Sequence, residues 1–212
     1  MTDQIEKIVD IIFEKIYARF KRSGYIEIEA SGRHVHLSRE VIDKLFGEDY
    51  QLTNIKALSQ PGQFVSKERV SLIGPKGQLH NVVVLGPERE KSQIEVSQTD
   101  AKILGIKVPV KESGKIQGTP PVEISANGKI VNLNEGLLVA ERHIHMSTAD
   151  AKDLSLRDGE RVDVEVNTDR PMVFKDVNLR VSDNFDTYMH IDYDEANACN
   201  LTEKTLGLIV KK

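Results

Sequence analysis

Hydrophobic and polar positions follow two different periods along the chain. Residues 3–22 place apolar side chains at helical spacing on one face and mainly lysine and glutamate on the other, and Gly24 ends the segment. Between Tyr25 and Ala30 apolar and polar residues alternate with a period of two, which is typical of a strand. The pattern therefore predicts an amphipathic helix within residues 1–24, followed by a chain built mainly of strands.

Short apolar runs separated by turn residues continue the strand pattern through the rest of the chain. The runs that contain Val70 and Leu85 flank a Gly-Pro-Lys-Gly turn and predict a hairpin. Further strands are predicted at 93–96, 131–140, 162–166 and 173–181, and short helices at 38–46 and 148–154.

The second half of the chain repeats the first. Residues 31–38, Ser-Gly-Arg-His-Val-His-Leu-Ser, match residues 140–147, Ala-Glu-Arg-His-Ile-His-Met-Ser. A second block, residues 82–101, aligns with residues 177–196 at a shorter offset, so the halves differ by an insertion between the blocks. The repeat predicts a mainly β protein with two homologous lobes, small barrels or curled sheets, related by a pseudo-two-fold axis.

The boundaries of the lobes follow from local composition. Residues 111–121 are rich in glycine, proline and polar residues and are interpreted as a connector. The first lobe then spans residues 25–110 and the second residues 122–212, with exchange of strands between the two barrels left open. The helix within residues 1–24 is interpreted as a packing or oligomer element, so a homo-oligomer is expected.

Each copy of the first block carries a His-x-His pair. Residues i and i+2 of an extended segment point to the same side, so His34 and His36 present two imidazoles to one point, with Val35 buried behind them. His143 and His145 do the same in the second copy. Two neutral imidazoles at this spacing are a common metal-binding arrangement, for which zinc is the first candidate.

The second block adds one ligand-type residue to each pair. The alignment places Glu95 over His190, and carboxylates and imidazoles both bind metals. A cross-strand salt bridge is the alternative role for Glu95. One or two zinc ions between the lobes are therefore predicted, with the ligands His34, His36, Glu95, His143, His145 and His190.

Other residues near the motifs are assigned simpler roles. Arg33 and Arg142 are expected to pair with carboxylates and are not counted as catalytic. His80 aligns with no ligand and is expected to face solvent. Cys199 is the only cysteine, which excludes an intramolecular disulfide and a cysteine-based zinc site, and a buried thiol is expected there.

Charge and hydropathy exclude several classes of partner. The net charge of −4 provides no strong field that would attract nucleic acid or an anionic membrane. No apolar run approaches the ~20 residues that a membrane-spanning helix needs, and the amino terminus lacks the features of a signal peptide. A cytoplasmic protein without nucleic-acid or membrane partners is expected.

The repeated motifs resemble those of a known family. Arg-His-Val-His-Leu-Ser at 33–38, Glu-Arg-His-Ile-His-Met-Ser at 141–147, Gly-Pro-Glu-Arg at 86–89 and the strand of His190 are similar to the phosphate propanoyltransferases. These are the phosphotransacylases of the propanediol-utilisation type, found in bacterial microcompartments. The resemblance covers residues from about 25 to 210.

The resemblance implies a fold, a reaction and several roles. The fold is two β-barrel lobes with short helical caps, and the reaction reversibly converts acyl-CoA and phosphate into acyl phosphate and CoA, with propanoyl or acetyl as the acyl group. Two metal ions, usually zinc, are implied at the six predicted ligands. Arg89 matches the phosphate-binding arginine and is the predicted catalytic residue, and Gln60 falls in a loop that lines the substrate pocket.

The resemblance also bears on location and partners. Many members carry an amino-terminal amphipathic peptide that directs them into a shell, and residues 1–24 match that description or form the first structural helix. Location inside a microcompartment, with shell or cargo proteins as partners, is therefore an open expectation.

The residues alone leave two other functional classes open. A zinc hydrolase would use the same ligands to activate water and would work without phosphate. A non-catalytic module stapled by zinc would need four protein ligands for each ion. Because the sequence offers no activated nucleophile, the acyltransferase reading predicts direct attack by phosphate in a ternary complex, without an acyl-enzyme.

Overall fold

The computed structural model describes residue 16, residues 19–20 and residues 22–210. Most of the helix predicted at 3–22, and with it the proposed encapsulation peptide, lies outside the described residues. From Tyr25 onwards the chain is mainly β, as the alternating pattern predicted. None of the described helices is both long and apolar enough to cross a membrane.

Six strands of the described region close into a barrel. In order around the barrel they are β1 (Tyr25–Ser31), β14 (Tyr188–Asp192), β11 (His143–Met146), β13 (Met172–Val181), β12 (Arg161–Val166) and β15 (Leu206–Val210). The barrel closes because β15 pairs antiparallel with both β1 and β12.

The remaining strands form a curled, open sheet. Its order is β7 (Val110–Lys111), β10 (Leu137–Ala140), β6 (Gln93–Glu95), β2 (His34–His36), β5 (Gln78–Gly86), β4 (Phe64–Ile73), β8 (Val122–Ala126) and β9 (Lys129–Leu133), with β3 (Asn54–Ala57) paired to β4. Within the described residues this sheet stays open because its two edge strands each pair on one side, β7 with β10 and β9 with β8.

A short helix follows each strand that carries a His-x-His pair. The helices α1 (Arg39–Phe46) and α3 (Thr148–Asp153) begin after Ser38 and Ser147, close to the predicted ranges. The helices α2 (Gln98–Leu104) and α4 (Tyr193–Ala198) were not predicted. They have seven and six residues, and α2 nevertheless carries a local signal, because Ser97 and Asp100 form a capping box at its start.

One predicted strand is wrong. The segment 131–140 is divided into β9 and β10, because Gly136 lies between them with a φ of 123°. That conformation is open to glycine and strained for other residues. The backbone therefore turns there, and β10 runs parallel to β6 and β7 instead of extending β9.

The chain divides into two compact units. The barrel unit contains the described residues up to 29 together with 142–190 and 198–210, and the curled-sheet unit contains 30–141 and 191–197. This division differs from the predicted boundary at 111–121, because β8, β9 and β10 pair within the curled sheet and β1 pairs within the barrel. These pairings join residues far apart in sequence, which local composition does not reveal.

Each unit has its own apolar core. In the curled sheet the core includes Val35, Leu72, Val84 and Ile94, all without measurable exposure. In the barrel it includes the fully buried residues Ile144, Val162, Val164, Leu179 and Met189. Val35 and Ile144, the central residues of the two His-x-His pairs, thus anchor each pair in a core.

A close approach of strands explains one glycine of the curled sheet. Phe64 pairs with Gly86 across β4 and β5, and a Cβ at residue 86 would overlap the phenyl ring of Phe64. The ring can therefore lie over the backbone at Gly86, at the end of β5. The Pro-Glu-Arg turn that carries Arg89 follows directly.

Candidate metal centre and anion site

The register between β2 and β6 places three predicted ligands together. His34 pairs with Glu95, Val35 with Ile94 and His36 with Gln93 across this antiparallel ladder. Because alternate residues share a face, the two imidazoles project to one side with their ring centroids 5.1 Å apart. The carboxylate of Glu95 lies on the same face as the imidazoles.

His34, His36 and Glu95 form a compact group of buried metal-type ligands. One donor atom from each residue lies within 4.8 Å of the others, and all three residues are buried. Within the described part of the chain, this is the only group of three potential ligands that meets this spacing. Buried groups of this type normally require a hydrogen-bond partner or a bound cation.

The imidazole of His34 has a defined tautomer. Its Nδ1 lies 2.8 Å from the carbonyl oxygen of Gly32, which can only accept a hydrogen bond, so Nδ1 carries the proton. In the neutral ring Nε2 then presents its lone pair, and this atom lies 3.6 Å from Oε2 of Glu95. Two ligands bonded at ~2.0–2.1 Å to one tetrahedral ion lie ~3.4 Å apart, so this separation fits a shared ion.

His36 is held in its neutral form. Burial holds the pKa of His36 well below its usual range, and the charges of His34 and Arg89 lower the pKa further. A hydrogen bond with the backbone of Leu85 raises the pKa, but its effect is the smallest of the four. Among the described residues, Nδ1 of His36 has no hydrogen-bond partner although it is buried. A neutral imidazole with an unpartnered buried nitrogen is the form that binds a metal ion. The residues of this group therefore fit a metal.

Two side chains fix the orientation of Glu95. Oε1 of Glu95 accepts hydrogen bonds from Nε2 of Gln93 at 2.6 Å and from Oγ of Ser113 at 2.7 Å. The other oxygen, Oε2, faces His34. Sequence reasoning missed Gln93 and Ser113. The alternation of the strand would have placed Gln93 on the face of Glu95, but no local signal links Ser113, in the predicted connector, to this site.

Arg89 lies beside the group. Its backbone N–H donates to the carbonyl of Leu37 at 2.9 Å, directly after His36, and its guanidinium is close enough to lower the pKa of His36. Arg39 anchors the same turn, because its Nη1 donates to Oε2 of Glu88 at 2.8 Å. The turn thus places a half-buried cation next to the potential ligands.

The barrel unit contains the second set of predicted ligands. The ring centroids of His143 and His145 lie 4.7 Å apart, and those of His190 lie 5.3 Å and 5.0 Å from them. Nδ1 of His190 lies 3.8 Å from Oε2 of Glu29. The ring of Phe185 packs against His145, with 4.3 Å between centroids. The three imidazoles therefore cluster, with the Glu29 carboxylate at the edge of the cluster beside His190.

The two clusters occupy equivalent positions in their sheets. In the barrel, His143 pairs with His190 across β11 and β14, as His34 pairs with Glu95 across β2 and β6. The parallel neighbours also correspond, since β11 pairs with β13 as β2 pairs with β5. The residues that the two blocks of the sequence alignment match therefore occupy matching positions in the two sheets. Glu95 and His190 are one such pair.

The remaining predicted residues are placed as follows. Gln60 is buried in the turn between β3 and β4, where its carbonyl accepts from the N–H of Gln63. Arg33 forms an ion pair of 2.9 Å with the largely buried Asp100, as expected for a structural arginine. Arg142 lies over the ring of Phe174, at 5.4 Å from its centroid. His80 is exposed on β5, and Cys199 is buried.

Comparisons with known proteins place the chain in a family. The model of the phosphate propanoyltransferase family matches residues 27–202. A phosphate propanoyltransferase of Clostridioides difficile is 53% identical over 98% of this chain and 100% of its own. Those of Listeria monocytogenes and Enterococcus faecalis are 52% and 54% identical, over 97% and 99% of this chain and 97% and 98% of their own.

These relatives first define the class. The protein is an acyltransferase, and the family supports acyl transfer to phosphate in general. The chain belongs to the phosphate propanoyltransferase family.

Proposed function

We propose that the protein reversibly transfers a propanoyl or acetyl group from a CoA thioester to inorganic phosphate, with assistance from bound metal. The observation that carries this proposal is the buried group of His34, His36 and Glu95 beside the Arg89 guanidinium. Metal-type ligands and a fixed cation on one side of the sheet suit a reaction between an anionic nucleophile and a carbonyl group.

The proposed metal is zinc. Nitrogen and oxygen ligands are common at catalytic zinc sites, where three protein ligands leave one position for a substrate. When bound, zinc supplies Lewis acidity that polarises a carbonyl or phosphate oxygen. His34, His36 and Glu95 would hold one ion, and His143, His145 and His190 a second one in the barrel unit. A closed structural site would need a fourth protein ligand for each ion.

Arg89 is proposed to bind and orient phosphate. A guanidinium can donate two parallel hydrogen bonds to phosphate oxygens, which fixes both distance and angle. The phosphate oxygen then forms a bond to the thioester carbonyl carbon. The carbon–sulfur bond breaks, and the thiolate leaves as CoA. Holding both reactants in place contributes several kcal/mol to lowering the barrier. Gln60 is proposed to line the substrate pocket.

Direct attack by phosphate predicts that the only cysteine is dispensable. Cys199 is fully buried, and a buried thiol in apolar surroundings is a poor nucleophile. The Cys199→Ser variant is expected to retain turnover, because Cys199 is not among the residues of the proposed site. Steady-state kinetics with both substrates varied should show intersecting lines. Ping-pong kinetics, or an acyl group trapped on Cys199, would contradict direct attack.

A coupled assay tests the proposed function. Metal-analysed protein is incubated with propanoyl-CoA or acetyl-CoA, with and without phosphate, while free thiol and acyl phosphate are measured separately. Thiol release that depends on phosphate and matches acyl phosphate one to one is expected. Thiol release without phosphate, with no acyl phosphate, would instead identify a hydrolase. Metal content without either product would indicate a structural site.

A further inference from the structure

Gln93 is buried within the group of proposed ligands, although it is not a ligand type itself. It is 2% exposed and lies on β6, opposite His36 and two residues before Glu95. A buried primary amide is costly unless its hydrogen-bonding groups have partners. The partners of this amide therefore indicate what the side chain does.

The orientation of the Gln93 amide follows from its neighbours. The backbone N–H of Gly114 lies 2.7 Å from Oε1 of Gln93, and because an N–H can only donate, the oxygen of the amide must face it. The NH₂ group consequently points the other way. It donates to Oε1 of Glu95 at 2.6 Å and to Oγ of Ser113 at 3.0 Å. Both amide hydrogens are thus engaged.

Ser113 completes the network. Its hydroxyl accepts from Gln93 and donates to the same oxygen of Glu95. Oε1 of Glu95 therefore receives two hydrogen bonds, while Oε2 is turned towards Nε2 of His34. A carboxylate held in this way offers one oxygen to a metal, whereas a freely rotating carboxylate can offer either oxygen or both.

The barrel unit provides an internal comparison. The residue at the position of Gln93 is Tyr188, which pairs with His145 as Gln93 pairs with His36. The residue at the position of Glu95 is His190. Once one nitrogen of an imidazole ring is hydrogen bonded, only the other can bind a metal. An amide that selects one of two equivalent oxygens is required only where the ligand is a carboxylate.

We infer that Gln93 is a positioning residue of the curled-sheet site, whose amide holds Glu95 so that a single carboxylate oxygen faces His34. This inference rests on the proposed metal-dependent function. Loss of the amide leaves Oε1 with the Ser113 hydroxyl as its remaining partner in this network, so the carboxylate is held less firmly and can rotate into a position that a substrate needs. The ligand set itself stays intact.

Metal binding measures this role independently of turnover. In Gln93→Met, which keeps the length of the side chain but removes its hydrogen bonds, zinc affinity at one site is expected to fall by roughly 10–100-fold, the usual effect of an outer-shell partner. Chelator competition measures the affinity. Cobalt substitution should show an altered visible absorption spectrum, because ligand geometry changes. Gln93→Asn, which keeps a polar group in the buried site, should show the same direction of change.

The control is Tyr50→Phe, which removes a hydrogen bond of 2.9 Å to Glu68 elsewhere in the same unit. It should leave zinc affinity and the cobalt spectrum unchanged, and circular dichroism establishes that each variant is folded. If the unchanged protein binds metal, and either folded Gln93 variant keeps both its affinity and its spectrum, the inference is wrong while the proposed function stands. If the unchanged protein binds no metal, both fail.

Discussion

Replacing His34 with alanine is expected to abolish turnover and to weaken zinc binding at the curled-sheet site by more than ~100-fold. Loss of an outer-shell partner lowers metal affinity by at most ~100-fold, and loss of a direct ligand is expected to lower it more. His34 is the side chain in this group whose tautomer is fixed by a backbone carbonyl, with Nε2 turned to Glu95. Removing it leaves the carboxylate and one imidazole, which is a weak site for zinc.

The measurement combines metal analysis after dialysis with the phosphate-dependent assay. His80→Ala is the matched control, because His80 lies on the neighbouring strand β5 but is exposed and contacts Ser71 at 3.1 Å. It should keep its metal content and its rate. A His34→Ala protein that is folded, retains a full complement of metal and turns over normally would remove His34 from the proposed ligands.

Replacing Arg89 with alanine should raise the KM for phosphate and lower kcat/KM for phosphate by roughly 10–100-fold, since a charge-assisted hydrogen bond contributes ~1.5–3 kcal/mol. The KM for the acyl-CoA should change much less, because the guanidinium is proposed to contact phosphate. Arg89→Lys should recover part of the loss, as it restores the charge without the two-pronged donor geometry. Initial rates with each substrate varied in turn separate these effects.

Lys91→Ala serves as the control for Arg89. Lys91 follows in the same turn, is 69% exposed and lies 3.9 Å from Glu135, so its removal tests whether any nearby positive charge attracts phosphate. An unchanged KM for phosphate is expected in that variant. Equal effects of the two substitutions would show that Arg89 acts through general attraction, and an unchanged Arg89→Ala would show that the arginine is structural.

The elements predicted from sequence share one property, which is that their signals are local. Ser38 and Ser147 precede α1 and α3 as the N-cap residues, and the turn within the β4–β5 hairpin consists of glycine, proline and lysine. The predicted ligands were found through the repeated motif, which can be seen by comparing two segments of the sequence. Strand register then brings His34, His36 and Glu95 together.

The features that were not predicted depend on contacts between distant residues. Ser113 lies in a segment whose composition indicates a connector, yet it donates to Glu95. The pairing of β1 with β15 joins opposite ends of the chain, and no short-range pattern encodes it. Gln93 could be predicted only in part. The sequence shows that it shares a strand face with Glu95, but it does not show that Gly114 donates a hydrogen bond to it.

The positions of β1 and β10 have an implication for the origin of the chain. Each strand precedes a His-x-His pair, yet β1 lies beside β14 in the barrel while β10 lies beside β6 in the curled sheet. Each half thus supplies the strand that precedes its own motif to the sheet of the other half. An ancestor with a single copy of the repeat would have completed its sheet only with a strand from a second molecule. Gene fusion would then have joined two subunits of a domain-swapped homodimer.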